Sequence, residues 1–240
     1  MTLQITNAAD IKTTKGTYLI YGPPGMGKTT ALKYLPGKTL VLDVDRTSKV
    51  LKGCKNIDIV EVDNINTWDF WEKLIIELYE NYRGKYDNIA VDNVSELERC
   101  ILSDLGSQGK NKGVPSQGDY QYMQFRLVNS LRYMKNLDMN IIWTAWEITD
   151  SFQDANGQYY NRAFPQINHK IMNNVLGLCD VVGKLAINSE GQRGFILTAS
   201  NSTYAKNQLD DRKGCLQHEL ILVGDAVGEG TKTVSKGSTK

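Results

Sequence analysis

The run Thr17-Tyr18-Leu19-Ile20-Tyr21, followed at once by Gly22-Pro23-Pro24-Gly25-Met26-Gly27-Lys28-Thr29, decides the fold. The first five residues are aromatic or β-branched apart from one leucine, the composition of a short buried strand. The next eight match the pattern G-x-x-x-x-G-K-[ST]. Glycines let the backbone turn tightly, so that its N–H groups converge on a phosphate chain. A helix over about Lys28 to Leu35 adds its positive N-terminal end, and Pro36-Gly37 stops it. Lys28 places a compact charge on the β- and γ-phosphates, and the Thr29 hydroxyl is a magnesium ligand. The expected nucleotide-binding residues are therefore Gly22, Pro23, Pro24, Gly25, Met26, Gly27, Lys28, Thr29 and Thr30, with ATP and Mg2+ as the ligands.

Outward from this loop, strands and helices alternate. Thr39 to Val44 and Ile57 to Val62 read as strands. Asn66 or Thr67 can cap a helix whose apolar stripe is Trp68, Trp71, Ile75 and Leu78. Asn88 to Val91 is the fourth strand, and Ser95-Glu96-Leu97-Glu98 reads as a capping box opening another helix. Gly106 to Gly118 holds four glycines, a proline and two lysines and reads as a mobile loop; Asp119 then caps a helix to about Asn136. Asn140 to Ala145 is a strongly apolar fifth strand. Such alternation predicts a mainly parallel sheet covered on both faces. The last third differs. Asp154-Ala155-Asn156-Gly157 marks a turn between two polar, aromatic strands, a helix covers about Asn168 to Leu178, and Val181 to Ile187 forms a hairpin with Gly194 to Ala199. Glu219 to Val223 reads as one more strand, so antiparallel strands are expected at the C-terminal edge. The expected arrangement is one domain over residues 1–223 and a disordered Gly/Ser/Thr/Lys tail from Gly224 to Lys240.

A phosphate loop needs a second carboxylate to hold magnesium at the end of an apolar strand. Asp92 closes Asn88-Ile89-Ala90-Val91-Asp92 and fits that role; Asp87, ahead of the same strand, reads as solvated. Hydrolysis also needs a group to orient water. Asp43 and Asp45 end the second strand and share a face if it continues, unless one of them caps the next turn. Glu147, just past the fifth strand, is another candidate, and Thr144 near that strand's end could sense the γ-phosphate.

The bulk properties exclude several classes. The 240 residues carry 28 basic and 27 acidic side chains, for a net charge of +1. No global field would draw the chain onto nucleic acid or a membrane, so nucleic-acid binding requires local patches. Four separated cysteines without a Cys-x-x-Cys pair read as reduced thiols, and no stretch reaches the roughly 18 apolar residues of a membrane span. A cytoplasmic location is expected, in a bacterial host if the chain is phage-encoded.

The segments Tyr18 to Thr30, Thr39 to Asp45, Asn88 to Asp92 and Ile142-Trp143-Thr144-Ala145-Trp146-Glu147 together resemble the phage-borne AAA-type ATPases with a RecA-like core, a group that includes single-strand annealing recombinases of the Sak lineage. The resemblance covers about Gly16 to Leu222. It implies a RecA-like P-loop NTPase fold, ATP hydrolysis, assembly into a ring or filament of identical subunits, and action on single-stranded DNA, with a single-strand-binding protein as a further partner. In RecA-like proteins a glutamate two residues past an aspartate at the end of the second strand activates water; here that position is Asp45, a shorter carboxylate. A polar sensor at the end of the fifth strand corresponds to Thr144 or Glu147. Cations reaching a neighbour's γ-phosphate correspond to Lys206 and Arg212. Mobile DNA-contacting loops correspond to Gly106–Gly118, with Lys110 and Lys112, and to Ile148–Lys170, with Tyr159, Tyr160, Arg162 and Lys170 beside Phe152 and Phe164. Two other classes remain: a nucleotide-switched binding protein with little turnover, and a P-loop small-molecule kinase. The latter usually carries an arginine-rich lid, and the eight arginines here form no such cluster.

Overall fold

Six parallel strands stand side by side and carry the site at their carboxyl ends. The computed structural model describes residues 3, 5–10 and 15–222; the tail expected from Gly224 lies outside them. Strand β1 is Thr17–Tyr21. Helix α1, Lys28–Ala31, tightens into a 3-10 turn over Leu32–Tyr34 and so is shorter than the helix expected to Leu35. Then come β2 (Thr39–Asp43), β3 (Ile57–Glu61), α2 (Thr67–Asn81), β4 (Asn88–Asp92), α3 (Val94–Gln108), α4 (Gln117–Met134) and β5 (Asn140–Ala145). A separate hairpin of β6 (Glu147–Gln153) and β7 (Tyr159–Pro165) precedes α5 (His169–Leu178). The chain returns to the sheet with β8 (Val181–Ile187), β9 (Arg193–Ile196), β10 (Lys206–Asn207) and β11 (Gly214–Leu216).

The sheet order is β11-β9-β8-β1-β5-β4-β2-β3, with β10 also on β8. Strands β8, β1, β5, β4, β2 and β3 pair in parallel, and β9, β10 and β11 add antiparallel. This is the α/β architecture of a P-loop NTPase domain, with the antiparallel additions at one edge as expected. Strands β1, β2, β4 and β5 are buried along their whole length, which follows from helices covering both faces. Alternate residues divide between two cores. Leu19, Tyr21, Leu42, Val91 and Trp143 face the side of α2 to α5. Tyr18, Ile20, Val41, Ala90 and Ile142 face Ala31, Leu32 and Leu51 on the other. The edge strand β3 buries only Ile57 fully and carries Asp58 and Glu61, charges that discourage pairing with another edge.

Several local expectations give way to longer-range bonds. Asn93, not Ser95, caps α3, accepting from the Glu96 amide at 2.8 Å. Ser95 instead accepts from the Trp146 amide (2.9 Å) and donates to the Gln166 carbonyl (2.7 Å), tying both ends of the β6–β7 hairpin to α3. Glu98 accepts from the Asn168 amide (2.9 and 3.0 Å) at the start of α5. Helix α4 is capped by Ser116, with Asp119 completing the box one turn in. The loop expected over Gly106–Gly118 shrinks to Gly109–Ser116, because α3 and α4 extend into it. A side chain on Gly106 would stand 2.7 Å from the Gly113 carbonyl, so that turn closes on glycine. Helix α2 receives its cap from Asp104 of α3, which accepts from the Trp68 amide at 2.9 Å, while Asn66 makes no side-chain cap. Of the expected stripe, Trp71, Ile75 and Leu78 are buried and Trp68 is partly so. The strand expected from Glu219 is absent among the described residues. The chain makes a 3-10 turn over Gln217–Glu219, because β11 already fills the edge beside β9 and Gln217 turns toward the phosphate loop.

Glu98 generates a measurable consequence. Burial pushes its carboxyl up to about 7 from an ordinary 4.5, against the Asn168 amide and the Arg99 charge, which pull it down. The native state therefore keeps a proton that the unfolded chain releases, and stability falls as pH rises from about 4.5 to about 7. Glu98→Gln cannot titrate. Its stability relative to wild type should rise across that window by up to roughly 3 kcal/mol in denaturant unfolding at pH 5 and pH 8. A difference independent of pH would show that Glu98 titrates like a surface carboxylate.

Candidate nucleotide-binding site

The loop from Gly22 to Thr29 leaves the carboxyl end of β1. Gly25 and Gly27 have φ of 78° and 102°, the left-handed region that a residue with Cβ resists. Lys28 is 7% exposed. Its ammonium folds back on the loop, donating to the carbonyls of Gly22 (2.9 Å) and Pro23 (3.1 Å). Burial lowers its pKa, and the charges of Asp92, Asp45 and Glu147 push the other way. A buried cation whose only direct partners among the described residues are neutral carbonyls is suited to an entering phosphate.

Across from the loop, β4 delivers Asp92, 2% exposed. Thr144 on β5 donates its hydroxyl to one carboxylate oxygen. The other oxygen lies 3.5 Å from the Thr47 hydroxyl. Thr47 also donates to Asp45 (2.7 Å) and stands 3.2 Å from the Thr29 hydroxyl. Asn93 donates to the second oxygen of Asp45. Burial pushes the Asp92 carboxyl up to about 6; the hydroxyls of Thr144 and Thr29 pull it down, and Asp45 and Asp43 push it further up. Asp43 has a different task. It accepts from the amides of Thr47 and Ser48 at 3.2 Å each, capping the turn after β2 and so shaping the loop that carries Asp45 and Thr47.

Thr29 and Asp92 fit a magnesium ion on the chemistry of their donors. The cluster offers hydroxyl and carboxylate oxygens only, the set a hard cation prefers. Among the described residues no lysine or arginine nitrogen lies within 4.0 Å of Asp92, so a buried negative charge stands without an ion-pair partner. When bound, the ion would neutralise charge between phosphate oxygens and Asp92.

A family model described as AAA domain matches residues 14–209, well over half of the chain. The chain belongs to this AAA domain family. Its site is accordingly that of an AAA-type P-loop ATPase-like domain, built to bind nucleotide. No curated relative matches the chain.

Within this AAA domain the other expected residues fall in different places. Thr144 is fully buried and its hydroxyl is held by Asp92, so it reaches a nucleotide only through that carboxylate. Glu147 forms an ion pair with Lys184 at 3.0 Å and makes no hydrogen bond to the Asp45–Asp92 cluster. Lys206 donates to the carbonyls of Leu176 (3.1 Å) and Cys179 (2.6 Å), capping the end of α5. Arg212 pairs with Asp210 at 2.7 Å and donates to the Glu219 and Leu220 carbonyls. Both cations expected to reach a neighbouring subunit thus have partners in their own chain. Arg162 lies among Phe152, Phe164 and Tyr204, 4.3 to 5.7 Å from the ring centres, with its Nε buried. Its guanidinium thus packs within the aromatic cluster at the hairpin. Phe164 stacks on Tyr204. Tyr160 is half-buried, whereas Tyr159 is 69% exposed and Lys110, Lys112 and Lys170 are exposed. No described helix is long and apolar enough to cross a membrane.

The sequence reading missed Thr47, Asn93, Arg193 and Gln217. Asn93 follows Asp92 directly and Thr47 stands two residues past Asp45, so proximity to the acidic residues was the available signal. Arg193 and Gln217 come from the C-terminal edge, and no spacing in the sequence ties them to the loop. Gln217 donates to the Gly27 carbonyl at 3.2 Å, and the Arg193 side chain lies against the same glycine.

Lys28→Ala should lower ATP affinity at least roughly tenfold in equilibrium titration, since it deletes a charged hydrogen-bond donor to phosphate. Wild-type affinity in this variant would refute the cradle. Asp92→Asn should instead flatten the dependence of nucleotide affinity on magnesium concentration while leaving metal-free binding in place; an unchanged magnesium dependence would assign the ion to other ligands.

Proposed function

We propose that this AAA domain hydrolyses ATP, with Asp45 orienting the attacking water, and uses the cycle on single-stranded DNA in phage-type recombination, annealing or replication. The observation that carries the hydrolytic reading is the position of Asp45. Thr47 and Asn93 hold its carboxylate in one hydrogen-bonded group with Thr29 and Asp92, the residues suited to the metal. A base fixed beside the metal-binding oxygens is where water in line with a γ-phosphate would be met. Lys28 would neutralise the phosphates from the loop side.

The DNA reading rests on fewer groups than the sequence suggested. Tyr159 at the tip of the hairpin offers an exposed aromatic face, and Lys110, Lys112 and Lys170 offer exposed charge. One aromatic and three lysines per subunit give weak binding, so useful affinity would come from several copies on one strand. A homo-oligomer, cytoplasmic and working with a single-strand-binding protein, is consistent with that need.

One observation favours a second reading, a nucleotide-switched binding protein. Both oxygens of Asp45 already accept hydrogen bonds, from Thr47 and Asn93, so the carboxylate is engaged within its own chain before a water reaches it. Phosphate release with and without single-stranded DNA separates the two. DNA-stimulated turnover that Asp45→Asn abolishes, with ATP binding intact, supports the ATPase; tight binding without turnover in the wild type supports the switch.

Tyr159→Ala should weaken single-strand affinity by roughly 1–3 kcal/mol, the worth of one stacked base, with basal ATP turnover retained. Normal affinity of this variant in a gel-shift titration would remove the hairpin from the DNA interface.

A further inference from the structure

We propose that Arg193 is a nucleotide contact supplied in cis, gripping the phosphate chain at its α- and β-phosphate end. The inference deepens the nucleotide-binding reading and rests on it.

Arg193 opens β9, where it faces Ile187 across the β8–β9 hairpin. A Cβ built on Gly27 would stand 3.4 Å from the arginine Cδ and 3.5 Å from Nε. The side chain therefore lies along the glycine that precedes Lys28, close to the loop amides that would hold phosphate. The same glycine is fastened from the C-terminal side by Gln217, buried and bonded to its carbonyl at 3.2 Å. The hairpin and the 3-10 turn thus form one wall over the loop.

Arg193 is exposed, and no carboxylate of the described residues lies in ion-pair range of it. Each of the other seven arginines sits against a carboxylate, an amide oxygen or an aromatic ring, as Arg212 does with Asp210 and Arg162 with Phe152. Among the described arginines Arg193 alone has no carboxylate, side-chain amide oxygen or ring against it. A guanidinium held over a phosphate loop with no anion to pair with matches the planar donor set that phosphate oxygens accept.

The sheet order fixes which end of the phosphate chain it meets. Thr144, Asp92 and the loop bearing Asp45 and Thr47 come from β5, β4 and β2, on one side of β1. Those groups mark the side of the metal and the γ-phosphate. Strand β9 lies on the opposite side of β1, beyond β8. A cation from there reaches the end of the chain nearer the ribose, so it should act on ATP and ADP alike and leave the chemical step to Lys28, Asp45 and Asp92.

Calorimetric titration of ATP and ADP into wild type, Arg193→Ala and Arg193→Lys tests this, alongside thermal melts without nucleotide. Arg193→Ala should lose roughly 10- to 100-fold in affinity for both nucleotides, the scale of a charged hydrogen bond. Arg193→Lys should recover part of that loss. Melting without nucleotide should be unchanged, and in turnover KM should rise with kcat kept. Equal ADP affinity in wild type and Arg193→Ala would overturn the contact. A loss confined to ATP would overturn its assignment to the α/β end. Wild type that binds neither nucleotide would bring down the nucleotide-binding reading itself, a result distinct from a silent Arg193 variant of a competent protein.

Discussion

Asp92 is a carboxylate at the end of a fully buried strand, with no lysine or arginine nitrogen in ion-pair range among the described residues. An ionised carboxyl in that setting loses its hydration and must recover it from local dipoles or from a cation. The surrounding structure supplies both. Thr144 reaches it because β5 is inserted between β1 and β4. Thr47 reaches it because Asp43 caps the turn that follows β2 and folds that loop inward. The remaining deficit is the reason the position suits a divalent cation. The strand order, the turn after β2 and the phosphate loop are all constrained by one charge.

Lys28 faces the complementary constraint. It is a buried cation held by two carbonyls, with Asp92, Asp45 and Glu147 contributing at longer range. Two opposite charges are thus buried near one another and kept from closing into an ion pair. A direct Lys28–Asp92 pair would satisfy both and leave nothing for nucleotide and metal. The loop geometry, which relies on the left-handed backbone of Gly25 and Gly27, holds the ammonium on its own carbonyls instead. The resulting charge arrangement is one that a magnesium–phosphate unit would complement.

The β6–β7 hairpin illustrates how tertiary packing reassigns residues of one chemical type. Arg162, Phe152, Phe164 and Tyr160 look in sequence like a single-strand binding surface. Three rings collect around the Arg162 guanidinium and consolidate the hairpin, and Tyr159 alone among its aromatics is openly presented. Lys206 and Arg212 follow the same logic: the terminal carbonyls of α5 and the Asp210 carboxylate hold them within their own chain. A cation in a polar loop goes to the closest acceptor in its own chain, and sequence does not show which acceptor that is.

The sequence by itself determined what local chemistry and periodicity dictate. The glycines and lysine of the phosphate loop, the apolar runs of β1, β2, β4 and β5, Asp92 at the end of its strand, and the Asn156-Gly157 turn are all fixed within a few residues of themselves. The tertiary structure alone decided which distant groups complete them. Ser95 and Glu98 read as a local cap because that is the nearest bond available in sequence, yet Ser95 binds the ends of the β6–β7 hairpin and Glu98 the start of α5, some 50 to 70 residues away. Asp104 caps the preceding helix through the Trp68 amide, 36 positions earlier in the chain. Arg193 and Gln217 arrive at Gly27 because β9 and the turn after β11 complete the sheet edge beyond β8, 190 residues past the loop in the case of Gln217. Backbone conformation follows from short-range sterics and is written in neighbouring residues. The choice of hydrogen-bond and charge partners follows from the sheet order, which no single segment encodes.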